Sequence, residues 1–431
     1  MSIVSMAEWR RVPIGPDARR WSTRTDCATV LMVVDTVTNG QRLLDVAELF
    51  EADFRVQVLF TSPAGGVFDN GVGEFLTGIG ALVVPWRQAV DHHFDLAVAA
   101  GHEGIHELHT PVVLVPHGVG FNKRVSAGQF GRAVQTREAY GLGAQWLVRD
   151  GALIPAAIVL AHEEERERLA RACPQAVPHA VVVGDPCYDR ITASLPYRSA
   201  YRDALGVPPR RRLVTVATTW GAASLLGRVP QLPSRLVAEL PRSEYRVVAL
   251  AHPNAWFGHG RWQIEAWLAE PLRGGLGLVP PEADWCAVLA ASDLVIGDHG
   301  SVSLYATAAG VPVVLGAPLS ADVDPASPMG ELGAMAPQLS ARRPLAAQLG
   351  RLTADFRRDE YAKVAARITS QPGDFARNLR RLLYRQLGLS LPASRGPVEP
   401  AAMPTLIRRR PGASIRTLEP RASNPYPRRA A

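Results

Sequence analysis

Residues 284–315 read DWCAVLAASDLVIGDHGSVSLYATAAGVPVVL, and this stretch decides the fold. Residues 285–291 carry apolar side chains at helical spacing, and 294–296 form a short buried strand. Gly297-Asp298-His299-Gly300 follows as a turn at the strand's carboxyl end. Ser301 is expected to cap the next helix, its hydroxyl accepting from N–H groups of the first turn. Gly310 then ends the helix and Pro312 opens another strand. A helix N-terminus directs N–H groups and a partial positive charge outward, and Gly300 lets an anion come close to the backbone. The turn thus reads as a phosphate site, with a capped helix that binds nothing as the alternative.

The same alternation extends in both directions. Toward the N-terminus, apolar runs at 29–34, 56–60, 81–84, 95–99, 112–115, 157–160 and 180–183 are separated by helical patterns or turns, including helices at 41–50 and 163–172. Nearer the quoted stretch, strands are predicted at 213–217, 245–251, 276–279, 294–296 and 313–315. Helices are expected at 232–240, 262–268, 285–291 and 301–309. Continuously apolar strands alternating with helices predict parallel sheets covered on both faces. The fold class is therefore α/β, with two Rossmann-like parallel-sheet domains facing across a cleft.

The predicted organisation is an N-terminal extension (1–27), a first domain (28–190), a second domain (191–343), C-terminal helices (344–390) that pack back across both domains, and a disordered Arg/Pro-rich tail (391–431). The proline-bearing seam at 186–211, with the basic run Arg210-Arg211-Arg212, marks the passage between domains. In open parallel sheets ligands bind beyond the carboxyl ends of strands, so functional residues are sought there.

Composition narrows the function. The formal charge of +7 sits mostly in the tail, where 391–431 holds eight arginines against Glu399 and Glu419. The folded body is then near neutral, and specific nucleic-acid binding is not expected. The tail reads either as a solubilising extension or as a weak contact for anionic membrane or polymer. No run approaches the roughly 20 apolar residues of a membrane span, and 1–20 lacks a secretory signal's apolar core. A cytoplasmic protein is expected, with the tail allowing a peripheral place at the inner membrane face. The cysteines Cys27, Cys173, Cys187 and Cys286 are scattered, which predicts no metal site or disulfide framework. His92, His93, His102, His106 and His109 crowd together with Glu103 and Glu107. A helix would put His102 and His106 on one face, but Gly104 weakens it and no third ligand is evident, so no metal is predicted.

Four further strand ends carry candidates. In ALAHPN (249–254), Pro253 stops the strand and leaves His252 at its mouth. In VLVPHGVGFNK (113–123), His117 and Gly118 follow a strand, and Lys123 is one of only two lysines in the chain. A neutral imidazole suits proton removal from an alcohol, and a lysine is a compact phosphate partner. Ordinary loop residues remain the other reading of both. VTVATTW (214–220) brings Thr219 and Trp220 to a strand end, either as a pocket wall or as core. Gly184-Asp185-Pro186 closes the N-terminal sheet and reads as structural, with Asp189 facing the cleft as the alternative.

Together these segments resemble GT-B transferases, and most nearly the CDP-glycerol glycerophosphotransferases of the teichoic acid polymerase group. The resemblance rests on Ser292-Asp293, 294–296, Asp298 to Ser301 and Ala309-Gly310-Val311-Pro312, with His252-Pro253, His117-Gly118 and Lys123. It implies donor or phosphate binding by His252, Asp298, His299, Gly300, Ser301, Ser303, Thr219 and Trp220. It implies His117 as general base, with Gly118 and Lys123 meeting the acceptor or phosphate. The implied substrates are a nucleotide-activated donor and an acceptor alcohol or polymer, with no tightly bound cofactor. The chain departs from that group where Asp-Tyr-Ser-Ser becomes Asp298-His299-Gly300-Ser301 and Pro-Thr becomes Thr218-Thr219. A 2-epimerase of UDP-sugars shares the His-Pro feature and is the second reading, although 301–309 (SVSLYATAA) holds no acid. A non-catalytic GT-B-like binding protein is the third.

Overall fold

The computed structural model describes residues 9–63, 71–124, 139–393 and 397–407. The N-terminal half is built on a seven-stranded sheet. Its strands are β1 (Ala28–Val33), β2 (Val56–Thr61), β3 (Val83–Val84), β4 (Leu96–Ala99), β5 (Val112–Leu114), β8 (Pro155–Leu160) and β9 (Ala180–Val182). Two short strands, β6 (Val148–Arg149) and β7 (Ala152–Leu153), form an antiparallel hairpin beside it. The C-terminal half holds β10 (Arg212–Thr218), β11 (Tyr245–Ala251), β12 (Gly277–Val279), β13 (Leu294–Gly297) and β14 (Val313–Leu315).

The sheet orders are β3-β2-β1-β4-β5-β8-β9 and β12-β11-β10-β13-β14. Every pairing within them is parallel. The second order repeats the first five strands of the first, so each half reverses direction beside its opening strand. Those reversals lie between β1 and β4 and between β10 and β13. All twelve strands of the two sheets sit where continuous apolar runs predicted them, because helices cover both faces and leave no polar side to alternate.

The seam is not a linker. Pro186–Ser194 is a helix with Pro186 in its first turn, and Asp185 caps it by accepting from the Tyr188 N–H at 2.7 Å. Its Cys187 and Ile191 belong to the core of the C-terminal half, so the boundary at 190/191 falls inside a helix that already packs there. The last helix, Phe375–Gln386, returns to the N-terminal half and places Phe375, Leu379, Leu382 and Leu383 in its core. Asp189 tethers that return by accepting from the N–H groups of Gly373 (2.6 Å) and Phe375 (3.1 Å), which is a structural task.

The tail expectation also needs correction. Ala401 is buried, its N–H donates to Ser194 Oγ (2.8 Å), and its carbonyl accepts from Tyr201 Oη (2.7 Å). The Ile407 N–H donates to the Leu278 carbonyl on β12. Residues 397–407 are therefore a docked strap, held because Leu406 and Ile407 cover apolar surface that composition alone does not reveal. Arg395 and the arginines from Arg408 onward lie outside the described residues. Among the described residues no helix is long and apolar enough to cross a membrane.

Candidate functional site

The carboxyl ends of both sheets open into one cleft of about 1650 Å³, lined by both halves. Every candidate from the sequence lies along it: His117, Gly118 and Lys123 from one side, and Thr219, Trp220, His252, Asp298, His299, Gly300, Ser301 and Ser303 from the other. Parallel topology causes this convergence, since it sends all the strands of a sheet in one direction.

The turn after β13 departs from expectation in how its residues are used. Gly300, not Ser301, is the N-cap of the helix Ser301–Ala308, and no side chain caps it. The Ser301 hydroxyl instead faces the opposite domain, where a Cβ on Gly118 would lie 3.0 Å from its Oγ. A side chain at 118 would require Ser301 to give by a few tenths of an ångström, so the two halves are in near contact here. Asp298 is also not a ligand-facing group. One carboxylate oxygen accepts from the N–H groups of Thr219 (2.9 Å) and Leu225 (2.7 Å), and the other from Gly300 (2.9 Å). Asp298 fastens the end of β10 to the turn, and Thr219 serves through its backbone. Ser303 is 1% exposed; its Oγ has no partner and lies where a Cβ on Gly297 would sit, so it forms the floor rather than the mouth. His299 is buried with Nδ1 unpartnered, and desolvation lowers its pKa. Trp220 is 37% exposed at the rim, a wall and not a core residue.

His252 is fixed in one tautomer. It caps the helix Pro253–His259 by accepting from the Asn254 N–H at Nδ1 (3.1 Å). The proton of the neutral ring therefore sits on Nε2, leaving an N–H donor. Burial pushes its pKa down to about 3, with His117 and Lys123 adding repulsion. His117 opens onto the cleft yet is walled by protein; desolvation, then Arg42, depress its pKa to about 4. One of its ring nitrogens is hydrogen-bonded to the Ala100 carbonyl, so the other carries a lone pair.

Lys123 is placed by a clip between the halves. It forms an antiparallel bridge with Val323, flanked by bonds from the Arg124 N–H to the Asp322 carbonyl (2.7 Å) and from the Asp324 N–H to the Asn122 carbonyl (2.8 Å). Asp324 pairs with Arg124 (2.8 Å) and Arg168 (3.0 Å). Desolvation lowers the Lys123 pKa against the pull of Asp298 and Asp322.

Several cleft residues escaped the sequence reading. Arg42, 5% exposed, faces Asp45 (3.7 Å) and Asp185 (4.0 Å), and Tyr305 Oη donates to Asp185 (2.7 Å). This chain crosses from the first domain to the helix of the turn. Asp35 stands just beyond β1, hydrogen-bonded by the Asn39 amide, and burial raises its pKa. Tyr140 and Trp146 stack edge to face with centroids 4.7 Å apart. Applying the strand-end rule to β1 as well would have singled out Asp35; nothing local marks the others. The histidine crowd does not assemble: Gly104, at φ 69°, opens a 3-10 turn at Ile105–Glu107 instead of a helix. Among the described residues no cluster of three or more His, Cys, Asp or Glu could hold a metal ion.

No protein-family model and no curated protein matches the chain. Solved structures do. The wall teichoic acid polymerase TagF is 12% identical over 85% of this chain and 90% of that one, with a TM-score of 0.53. A TagF variant soaked with CDPG is 12% identical, covering 85% and 89%, with a TM-score of 0.56. MnaA from S. aureus, solved with UDP, is 12% identical over 86% of this chain and 100% of that one, with a TM-score of 0.52. Two Rossmann-like domains closing on a shared cleft, with this strand order and these neighbours, give the chain the GT-B fold.

Proposed function

We propose that this protein is a GT-B-type transferase that moves a glycerophosphate or glycosyl group from a nucleotide-activated donor to an acceptor hydroxyl. The observation that carries the reading is the meeting of Gly118, next to His117, with Ser301 at the side-chain-uncapped helix end across one cleft. A base-competent imidazole on one wall and an anion-binding helix end on the other suit an alcohol attacking an activated phosphate ester.

In this reading the donor diphosphate lies against the backbone of Gly300 and Ser301, with His252 donating from Nε2 and Lys123 closing from the other domain. Thr219 and Trp220 wall the nucleotide. The acceptor oxygen attacks phosphorus or an anomeric carbon, its proton passes to His117, and the nucleotide departs. Charge on the departing phosphate is met by groups already oriented toward it, which is how such sites lower barriers. The TagF variant soaked with CDPG and the MnaA complex with UDP support a nucleotide ligand for a chain of this fold. The reading requires no tightly held cofactor. It leaves the arginines from Arg408 onward as a weak contact for anionic membrane or polymer.

Thermal-shift screening against CDP-glycerol, UDP-sugars, GDP-sugars and free nucleotides tests this directly. At least one nucleotide should stabilise the protein, and His117→Ala should retain that binding while turnover disappears. Lost nucleotide binding with residual transfer in that variant would reverse the assigned roles. A sugar-nucleotide that epimerises without any acceptor would favour the 2-epimerase reading. Absence of nucleotide binding would leave the binding-protein reading.

A further inference from the structure

We propose that the N-terminal wall of the cleft holds an acceptor site for a neutral polyol or sugar, built by Asp35, Glu103, Tyr140 and Trp146. Its role as an acceptor site rests on the transfer reading above; its chemistry rests on the corner itself.

Asp35 occupies the crevice between β1 and β4, the sheet's own reversal point. A Cβ on Gly101 would lie 2.1 Å from Asp35 Oδ2, so only glycine at 101 leaves the carboxylate in place. The groups that hold Asp35 are the Asn39 amide and the adjacent backbone, not a cation. Asp35 lines the cleft together with Glu103; burial raises the Tyr140 pKa, and both carboxyls lie close enough to raise it further. Ionised carboxylates accept hydrogen bonds and repel other anions. The corner therefore favours a ligand rich in O–H donors and disfavours a phosphate or carboxylate at the accepting end.

The second element is aromatic. Tyr140 is 38% exposed and stands at 60° to Trp146. His102 adds a ring 5.4 Å from Trp146. His102 is hydrogen-bonded to the Gly141 carbonyl, and its Nε2 is buried without a partner. The corner is thus an apolar plate edged by hydrogen-bond acceptors. A sugar or polyol has C–H faces for the plate and hydroxyls for the rim. His102 and His117 interact electrostatically, so a ligand held here lies beside the proposed base.

Saturation-transfer NMR on the full chain tests the site, with glycerol, methyl β-glucopyranoside and glycerol 3-phosphate as probes, each with and without UDP or CDP. Glycerol or the glycoside should bind, and glycerol 3-phosphate should bind at least tenfold more weakly. Asp35→Asn should weaken the neutral probe about tenfold and narrow its advantage over the phosphate ester, with nucleotide affinity unchanged. Tyr140→Ala, at a more exposed position, should weaken the glycoside more than glycerol. Nucleotide binding without polyol binding, equal binding of the phosphate ester, or unaltered probe binding in Asp35→Asn would each overturn the site and leave the transfer reading standing. Absence of nucleotide binding overturns the transfer reading and, with it, the acceptor role.

Discussion

The two sheets reverse direction at equivalent places, and each place carries an aspartate put to opposite use. Beyond β13, Asp298 is saturated: three backbone N–H groups from three segments converge on it. Beyond β1, Asp35 is held by one side-chain amide and its local turn, and burial without a cation raises its pKa. Asp298 shapes a site that other groups then use, whereas Asp35 keeps acceptor capacity facing the cleft. An acidic residue at a strand end is thus ambiguous until its hydrogen-bond partners are counted.

That contrast is open to breaking. Asp298→Ala should have the largest effect on stability, since it strands two buried N–H groups and one half-buried one, at about 1–3 kcal/mol for each buried group. We expect a loss of roughly 3 kcal/mol or more in urea unfolding, together with loss of nucleotide binding. Asp35→Asn should cost less than about 1 kcal/mol. Comparable losses from the two substitutions would erase the distinction.

His117→Ala should lower transfer by about 10²–10⁴-fold, the usual worth of a general base, with nucleotide affinity nearly unchanged. Steady-state kinetics and calorimetry separate the two terms. His252→Asn should act the other way round, weakening nucleotide binding by about tenfold for one charge-assisted donor.

The pH dependence follows from the depressed histidines. In the empty cleft His252 and His117 have pKa values near 3 and 4, so both are neutral at pH 5. A bound anionic phosphate favours imidazolium and raises both values, but His252 must release the Asn254 N–H from Nδ1 to take the second proton. Nucleotide binding should therefore take up protons at pH 5, tighten as pH falls from 7 to 5, and release or take up none at pH 8. Calorimetry in two buffers of different ionisation enthalpy reads this uptake, and His252→Asn should diminish it. The smallest effect is expected from Gly118→Ala, where the new methyl meets Ser301 Oγ at 3.0 Å. Transfer should fall a few-fold, with each half's own ligand still bound.

The sequence by itself determined the α/β class, both sheets and the strand ends that line the cleft, because parallel strands buried on two faces must be continuously apolar. It also placed His117 and His252 at strand mouths, since Pro253 and the Pro116-His117-Gly118 turn stop their strands locally. Only the tertiary structure decided what each polar group does there. Asp298 becomes a brace, Ser301 faces Gly118 instead of capping its helix, Asp189 caps a helix far along the chain, and residues 397–407 dock instead of trailing. Each outcome depends on partners tens to hundreds of residues away, and a hydrogen-bond acceptor does not encode locally which donor will reach it first.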